Sequence, residues 1–458
     1  MYFAVSRAIR LVAGLLTVMW LQSAWCGNSN PSPLEECINE PVFEGRVCTL
    51  QADPDASTGV LLIHGLDGSI DDWRNTIPVL AKNFHVLAFD LPGFGKSDKG
   101  SQKYSPTRYA ELVRFLIDHY FRDKPYDVIG HSMGGAIALR YAAQRPLRLK
   151  RLVLMDVAGI LHPLVISKFQ AGSMVERASG ISETRGLIEH ISGRVLEQAE
   201  RLPFAPTEIV NTAIGRDEIL QGGAAGIAAL ALAGEDFSYA ISSVTVPTLI
   251  IWGDNDLTAP LRTGQVLAAN MRDAHLEIVA GSGHEPMNDQ PDLTNGLILR
   301  HLLSSDQAIS VPKRSTAPSE VSDMRTGICK GESGMIFEGN YHTIELHDCS
   351  NVTIRDVHVD MLSVYDSRVD IGNSSITGKE LGLYADNSEV TVTNGLISGE
   401  TAITAVRSRL DLAGVHLKAT LASLRGIGSK LTCSVCRLDS PARQGYLHTF
   451  KKMADEEL

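Results

Sequence analysis

The sequence predicts an α/β protein with a mostly parallel sheet under a helical cap, followed by an all-β stack of strands. Three observations carry this. From Gly59 to Leu303, short runs rich in Val, Ile and Leu alternate with segments whose apolar residues recur at helical spacing. From Ser304 to Thr326 the composition turns to Ser, Pro and Lys, as in a linker between domains. Beyond it, five segments open on a serine at spacings of 17, 21, 20 and 21 residues, the mark of a unit that stacks on itself.

The N-terminus is not part of either domain. Arg7 and Arg10 precede the apolar run Leu11–Leu21, and a polar, turn-prone stretch follows. This is the pattern of a secretory signal over residues 1–26, with Ala24 and Cys26 as the small residues before cleavage. Trp25 argues against lipid attachment at Cys26, and the run is short for a membrane span. Export to the periplasm or the exterior is expected, with a retained N-terminal anchor as the alternative. The net charge of -11 and the absence of a basic tract argue against nucleic acid as a partner. Six cysteines follow the signal, and an exported chain can pair them. Cys37 with Cys48 is the natural local pair. Cys433 and Cys436 form a CxxC, but no second half-site or nearby histidine accompanies them, so a structural role is expected rather than zinc.

After an extension over 27–58, "GVLLIHG", "FHVLAFD", "YDVIG", "LKRLVLMD", "VPTLIIWG" and "AHLEIVAG" read as buried strands, with helical patterns at Tyr109–Tyr120 and Gly135–Gln144. Residues from about 158 to 243 break the rhythm and read as helices, a cap over the strand ends. The linker spans 304–327, and its polar composition predicts little shared core between the two halves.

Repeats fill residues 328–440, ahead of a polar tail over 441–458. They open at Ser350, Ser367, Ser388, Ser408 and Ser429. β-Branched residues, alternation and turn-forming Gly and Asn make the units strands. Ile354, Ile371, Val392, Leu412 and Cys433 fall in one column. Val359, Ile376, Ile397, Leu417 and Leu438 fall in another. Both columns are expected to face inward, as in a right-handed parallel β-helix. The repeat resembles the pectate-lyase-like superfamily, without a recognisable catalytic motif of that group.

The chemistry centres on "VIGHSMGGAIAL", Val128–Leu139. A serine hydroxyl is a weak nucleophile until a base, an orienting acid and oxyanion donors surround it. In G-x-S-x-G the glycines permit a tight strand-to-helix turn that lifts Ser132 above the sheet, and the helix dipole points at it. His284, on the Gly-rich loop after "LEIVA", is the candidate base. Asp256, after "LIIWGDN", is the candidate acid from the order Ser, acid, His; Asp156 and Asp254 are the competing carboxylates. The main-chain N–H groups of Met133 and Leu66 are the expected oxyanion donors. His64 reads as a buried brace for the loop that carries Leu66.

"HGLDGSIDDW", "FDLPGFGKSD", "GHSMGG", "WGDNDLTAP" and "GSGHEP" together resemble the motifs of the α/β-hydrolase superfamily, in the same order, over Gly59–Leu303. The resemblance implies a Ser-His-Asp triad with no metal or cofactor. The serine nucleophile sets the chain apart from the aspartate-dependent dehalogenases and epoxide hydrolases. It implies hydrolysis of a small-molecule or lipid ester through an acyl-enzyme. The alternatives are another serine-triad reaction, such as C–C bond hydrolysis, or a protein whose β-helix docks on a surface glycan with the hydrolase as effector.

Overall fold

The computed structural model describes residues 33–101, 103–170, 223–304 and 324–458. The expected signal, most of the linker and the centre of the expected cap lie outside these residues. No helix among the described residues is long and apolar enough to cross a membrane.

Eight strands form the first sheet: β1 (Leu34–Glu40), β2 (Gly45–Ala52), β3 (Gly59–Ile63), β4 (His85–Phe89), β5 (Tyr126–His131), β6 (Leu149–Met155), β7 (Thr248–Gly253) and β8 (Ala274–Val279). Their order is β1-β2-β4-β3-β5-β6-β7-β8. The six apolar runs read from the sequence are β3 to β8, and they pair with one another in parallel. Helices α1 (Pro106–Tyr120), α2 (Met133–Ala142), α3 (Ala224–Ala233), α4 (Ser238–Ser243), α5 (Leu261–Asn270) and α6 (Pro291–Leu303) accompany them.

Successive strand residues point to opposite faces, and each face has its own core. Leu61, Ile63, Leu87 and Val128 pack with Leu112 and Leu116 of α1 and Ile137 of α2. Val60, Leu62, Val86 and Ile129 pack with Trp73, Leu80 and Ile298 and Leu302 of α6. Strands covered on both sides must be apolar at every position, which is why these runs do not alternate.

The N-terminal extension is not a separate arm. Its strands β1 and β2 pair antiparallel and extend the sheet through β4. Cys37 stands opposite Cys48 in the register and is disulfide-bonded to it. The buried Glu40 carboxylate closes the hairpin by accepting the N–H groups of Val42 at 2.7 Å and Phe43 at 2.9 Å. β1 is a mostly exposed edge strand, so its polar sequence carries no buried-strand signature.

The C-terminal region is all-β: β9 (Arg325–Lys330), β10 (Ile336–His347), β11 (Val352–Tyr365), β12 (Arg368–Thr377), β13 (Leu381–Asp386), β14 (Glu389–Val406), β15 (Arg409–Asp439) and β16 (Gln444–Glu457). From β9 to β15 every pairing is parallel. Ile354, Ile371, Val392 and Leu412 are register partners, and with Cys433 they form a buried column. Val359, Ile376, Ile397, Leu417 and Leu438 are buried as well.

The repeated serines are explained by a hydrogen-bonded ladder. The Ser388 hydroxyl accepts the Ser367 N–H at 3.1 Å and donates to Asp386 O at 2.7 Å; Ser408 and Ser429 repeat the pattern. Each buried hydroxyl is thereby satisfied by the main chain of its own and the preceding unit. The first serine is an exception. Ser350 is exposed, and Cys349 takes the ladder position, its N–H donating to Ser367 Oγ at 2.8 Å. Cys349 is bonded to Cys329. Cys433 and Cys436 are free and buried, and burial pushes the Cys433 thiol far above its ordinary range.

One expectation needs correction here. The stretch 441–458 is not a tail: β16 pairs antiparallel with β15 and buries Leu447 and Met453, so it covers the edge that the last parallel strand would expose. The C-terminal region has its own apolar core, built from Cys329 to Met453, and shares little with the sheet. The exceptions are Ala413 and Val435, which belong to the apolar cluster of the α/β sheet.

Candidate active site

Ser132 sits between β5 and α2 with φ 53° and ψ -118°. A side chain is strained in that region, and such strain persists where the surroundings enforce it. The surroundings are tight. A Cβ on Gly134 would lie 2.2 Å from Ile63 O and 2.4 Å from His64 O, so only glycine lets α2 press against the end of β3. The Ser132 N–H donates to Met155 O at 2.9 Å, and its carbonyl accepts from Gly135 and Ala136 at 3.0 and 3.2 Å. Met133 is then the first residue of α2, and its N–H is one of the four that an α-helix leaves without an internal acceptor.

Two loops bring the partners. Gly253 ends β7, and a Cβ there would lie 2.0 Å from Gly283 O, so the two loops touch main chain to main chain. His284 Nε2 lies 3.0 Å from Ser132 Oγ, and His284 Nδ1 lies 2.8 Å from Asp256 Oδ2. Asp256 Oδ1 accepts the N–H groups of Thr258 and Ala259 at 2.7 and 3.0 Å. Burial opposes ionisation of Asp256, but these bonds and the one from His284 hold its carboxyl below the ordinary range.

The competing carboxylates do other work. Asp254 is exposed and accepts the Gly281 N–H at 2.8 Å, tying the acid loop to the histidine loop rather than standing free in solvent. Asp156 is fully buried, and its Oδ1 accepts the Gly253 N–H at 3.0 Å. Burial, then the Asp256 charge, push its carboxyl well above the ordinary carboxylate range, which favours its neutral form beside Asp256. Donor atoms of Asp156, Asp256 and His284 lie within 4.8 Å of one another. Both ring nitrogens of His284 already face a hydrogen-bond partner, which is the arrangement of a proton relay.

The loop after β3 carries Leu66. An added Cβ on Gly65 would lie 3.1 Å from Ser132 Cβ, so this loop runs directly beside the serine. His64 braces it. Its Nε2 accepts the Leu91 N–H at 2.9 Å, which leaves Nδ1 as the donor to Gly65 O at 2.7 Å. That neutral tautomer agrees with a pKa lowered by burial to about 4. Asp90 pins the neighbouring loops by accepting the N–H groups of Ile70 at 2.8 Å and Lys96 at 2.7 Å.

Sequence reasoning missed His131. It lies beside Ser132, buried, and its Nε2 donates to His284 O at 2.7 Å. Burial, then the His284 ring, lower its pKa to about 3, so it is a neutral strut for the main chain of His284. The histidine in "GHSMG" was the available signal, but its direction depends on a loop 153 residues away.

The sequence profile of the alpha/beta hydrolase fold matches residues 59–183. A 2-hydroxy-6-oxo-6-phenylhexa-2,4-dienoate hydrolase from Burkholderia cepacia is 30% identical over 269 residues, which cover 54% of this chain and 89% of the relative. The chain belongs to the α/β-hydrolase family. Other members similar to this hydrolase include a monoacylglycerol lipase from Xenopus laevis, 27% identical over 58% of this chain and 81% of the relative. An uncharacterized Mycobacterium tuberculosis protein is 30% identical over 54% of this chain and 76% of the relative. All three alignments span little more than half of this hydrolase's length.

Proposed function

We propose that this is an exported serine hydrolase that cleaves carboxylic esters. The observation that carries the reading is His284, held 2.8 Å from Asp256 and 3.0 Å from Ser132. Ser132 Oγ attacks the ester carbonyl carbon while its proton passes to His284 Nε2. The oxyanion faces the N–H groups of Met133 and Leu66. The alcohol leaves with the proton from His284, giving an acyl-enzyme. Water, deprotonated by the same histidine, then releases the carboxylic acid and restores Ser132. Asp256 holds the imidazole orientation throughout.

Cys37–Cys48 and Cys329–Cys349 support an oxidising compartment, and hence export by the N-terminal segment. The stacked parallel register supports reading the C-terminal region as a right-handed parallel β-helix used for targeting or spacing. A surface glycan would be its partner; Tyr365 and Tyr384, with ring centroids 5.5 Å apart, offer an aromatic patch. Retention of the intact chain on insoluble glycans tests that role, and passage without delay removes it.

A second reading rests on the Burkholderia cepacia relative, whose name is that of a dienoate hydrolase. The same serine and histidine would then release a carbon leaving group instead of an alcohol. Short-chain and long-chain aryl esters tested beside a β-diketone separate the two. Turnover of esters alone supports the first reading; turnover of the diketone alone replaces it.

A further inference from the structure

We propose that the C-terminal all-β region clamps the loop of the catalytic acid, with Arg262 as the positioning residue. This rests on the serine-hydrolase reading above. Asp256 reaches α5 within a few residues, and Arg262 is the second residue of that helix. Among the described residues, the guanidinium of Arg262 makes four hydrogen bonds, all to the C-terminal region. Nε donates to Thr393 Oγ1 at 2.7 Å and NH1 to Asp411 Oδ2 at 2.9 Å. NH2 donates to Val392 O at 2.9 Å and to Asp411 O at 3.2 Å. Such a set fixes both the position and the plane of the fork.

The rest of α5 is held as well. Asn394 Nδ2 donates to Gln265 O at 3.0 Å, and Asn270 Nδ2 donates to Asn394 Oδ1 at 3.2 Å. The start of the helix is therefore fixed on one side by Arg262. On the other side Asp256 Oδ1 accepts from Thr258 and Ala259, and Ala259 O accepts from the buried Trp252 ring N–H at 3.1 Å. Little slack is left between the C-terminal region and the carboxylate that orients His284.

An independent observation shows that the surface is built for docking. Six residues after each ladder serine the chain turns through a left-handed residue: Asn373 at φ 48°, Asn394 at 59°, Gly414 at 66° and Val435 at 56°. Asn and Gly suit that conformation; a β-branched residue does not. Val435 is the exception, and its side chain is buried in the apolar cluster of the α/β sheet. Next to it, Ser434 Oγ accepts the His162 N–H at 2.8 Å, on the segment that follows β6. A local rule is broken where the side chain reaches the other region, as expected at a functional contact.

The test compares the full chain with Arg262→Ala, Asp411→Asn and Val435→Asn. The last suits its own turn and exchanges the docked apolar side chain for an amide that the cluster of the sheet does not accommodate. With an aryl ester, each variant is expected to lose kcat by about 10-fold, since small misplacements of catalytic groups cost up to roughly 100-fold. KM should stay within about twofold, because the substrate pocket is not altered. The rate of fluorophosphonate labelling at Ser132 should fall by the same factor as kcat. The parent should unfold in one transition and each folded variant in two. Unchanged kcat and labelling in folded variants that do split would overturn the clamp. So would variants that lose activity only by raising KM. A parent chain that is never labelled would instead refute the serine-hydrolase reading, and with no catalytic acid to hold, the clamp would fall with it.

Discussion

Ser132 is held at φ 53° and ψ -118°, a conformation suited to glycine. Comparing Ser132→Gly with Ser132→Ala isolates that strain, because both lose the hydroxyl and its 3.0 Å bond to His284. The strained conformation costs a side chain about 1–3 kcal/mol. Glycine, in turn, costs roughly 0.5–1 kcal/mol in unfolded-state entropy relative to alanine. Taken at the middle of both ranges, the glycine variant should therefore be the more stable by about 1 kcal/mol, the reverse of the usual order. In a domain of this size that is a Tm higher by roughly 2–4 °C. Urea unfolding of both variants, followed by tryptophan fluorescence, reads the difference. A glycine variant equal to or less stable than alanine would show that the elbow stores no strain, and the account of how Gly134 and β3 force it would be wrong. Neither variant should turn over substrate.

Asp256→Asn should lower kcat by orders of magnitude with little loss of stability, because the imidazole loses its orienting carboxylate; an active Asp256→Asn beside an inactive Asp156→Asn would move the acid to β6. Stability should fall as pH drops from about 6.5 toward about 4. Burial first of all lowers His64, His85, His162 and His301 to about 4 and His131 to about 3, whereas the unfolded chain protonates them near pH 6.5. Asp127, raised by burial to about 7, and Asp156 act in the opposite sense, stabilising fully below about pH 4 and less as pH rises, but they are outnumbered. Urea midpoints at pH 4.5 and 6.5 check the sign, and a higher midpoint at pH 4.5 contradicts it. A chain ending at Ser304 should melt below the full chain and hydrolyse esters more slowly, since Arg262 loses all four partners and the sheet cluster loses Ala413 and Val435; equal melting and equal kcat would restore the picture of independent halves.

The central strands were legible because burial on both faces demands apolar runs, and β3, β4 and β7 show them most plainly, whereas the edge strand β8 reads AHLEIV and buries only Val279. The elbow at Ser132 was legible because such a turn needs small residues at fixed offsets, and Asp256 and His284, which the structure brings beside it, follow their strands in the expected order. What stayed hidden depends on neighbours distant in sequence. β1 is polar because it is an edge, and β16 looks like a tail because only Leu447 and Met453 turn inward. Ser350 carries the repeat's letter but not its place, since the first unit has one extra residue before Val352, with Asn351 at φ 52°, and the ladder position falls to Cys349. The roles of His131 and Arg262 lie in the direction of their side chains, toward His284 O and toward Thr393 and Asp411.

The central claim is that Ser132 is a nucleophile activated by His284. Mass spectrometry of the full chain after reaction with a fluorophosphonate tests it most directly. The account predicts one covalent adduct, on the peptide containing Ser132, that disappears in Ser132→Ala and forms far more slowly in His284→Ala. An adduct on another residue, or none on a folded chain, would contradict it.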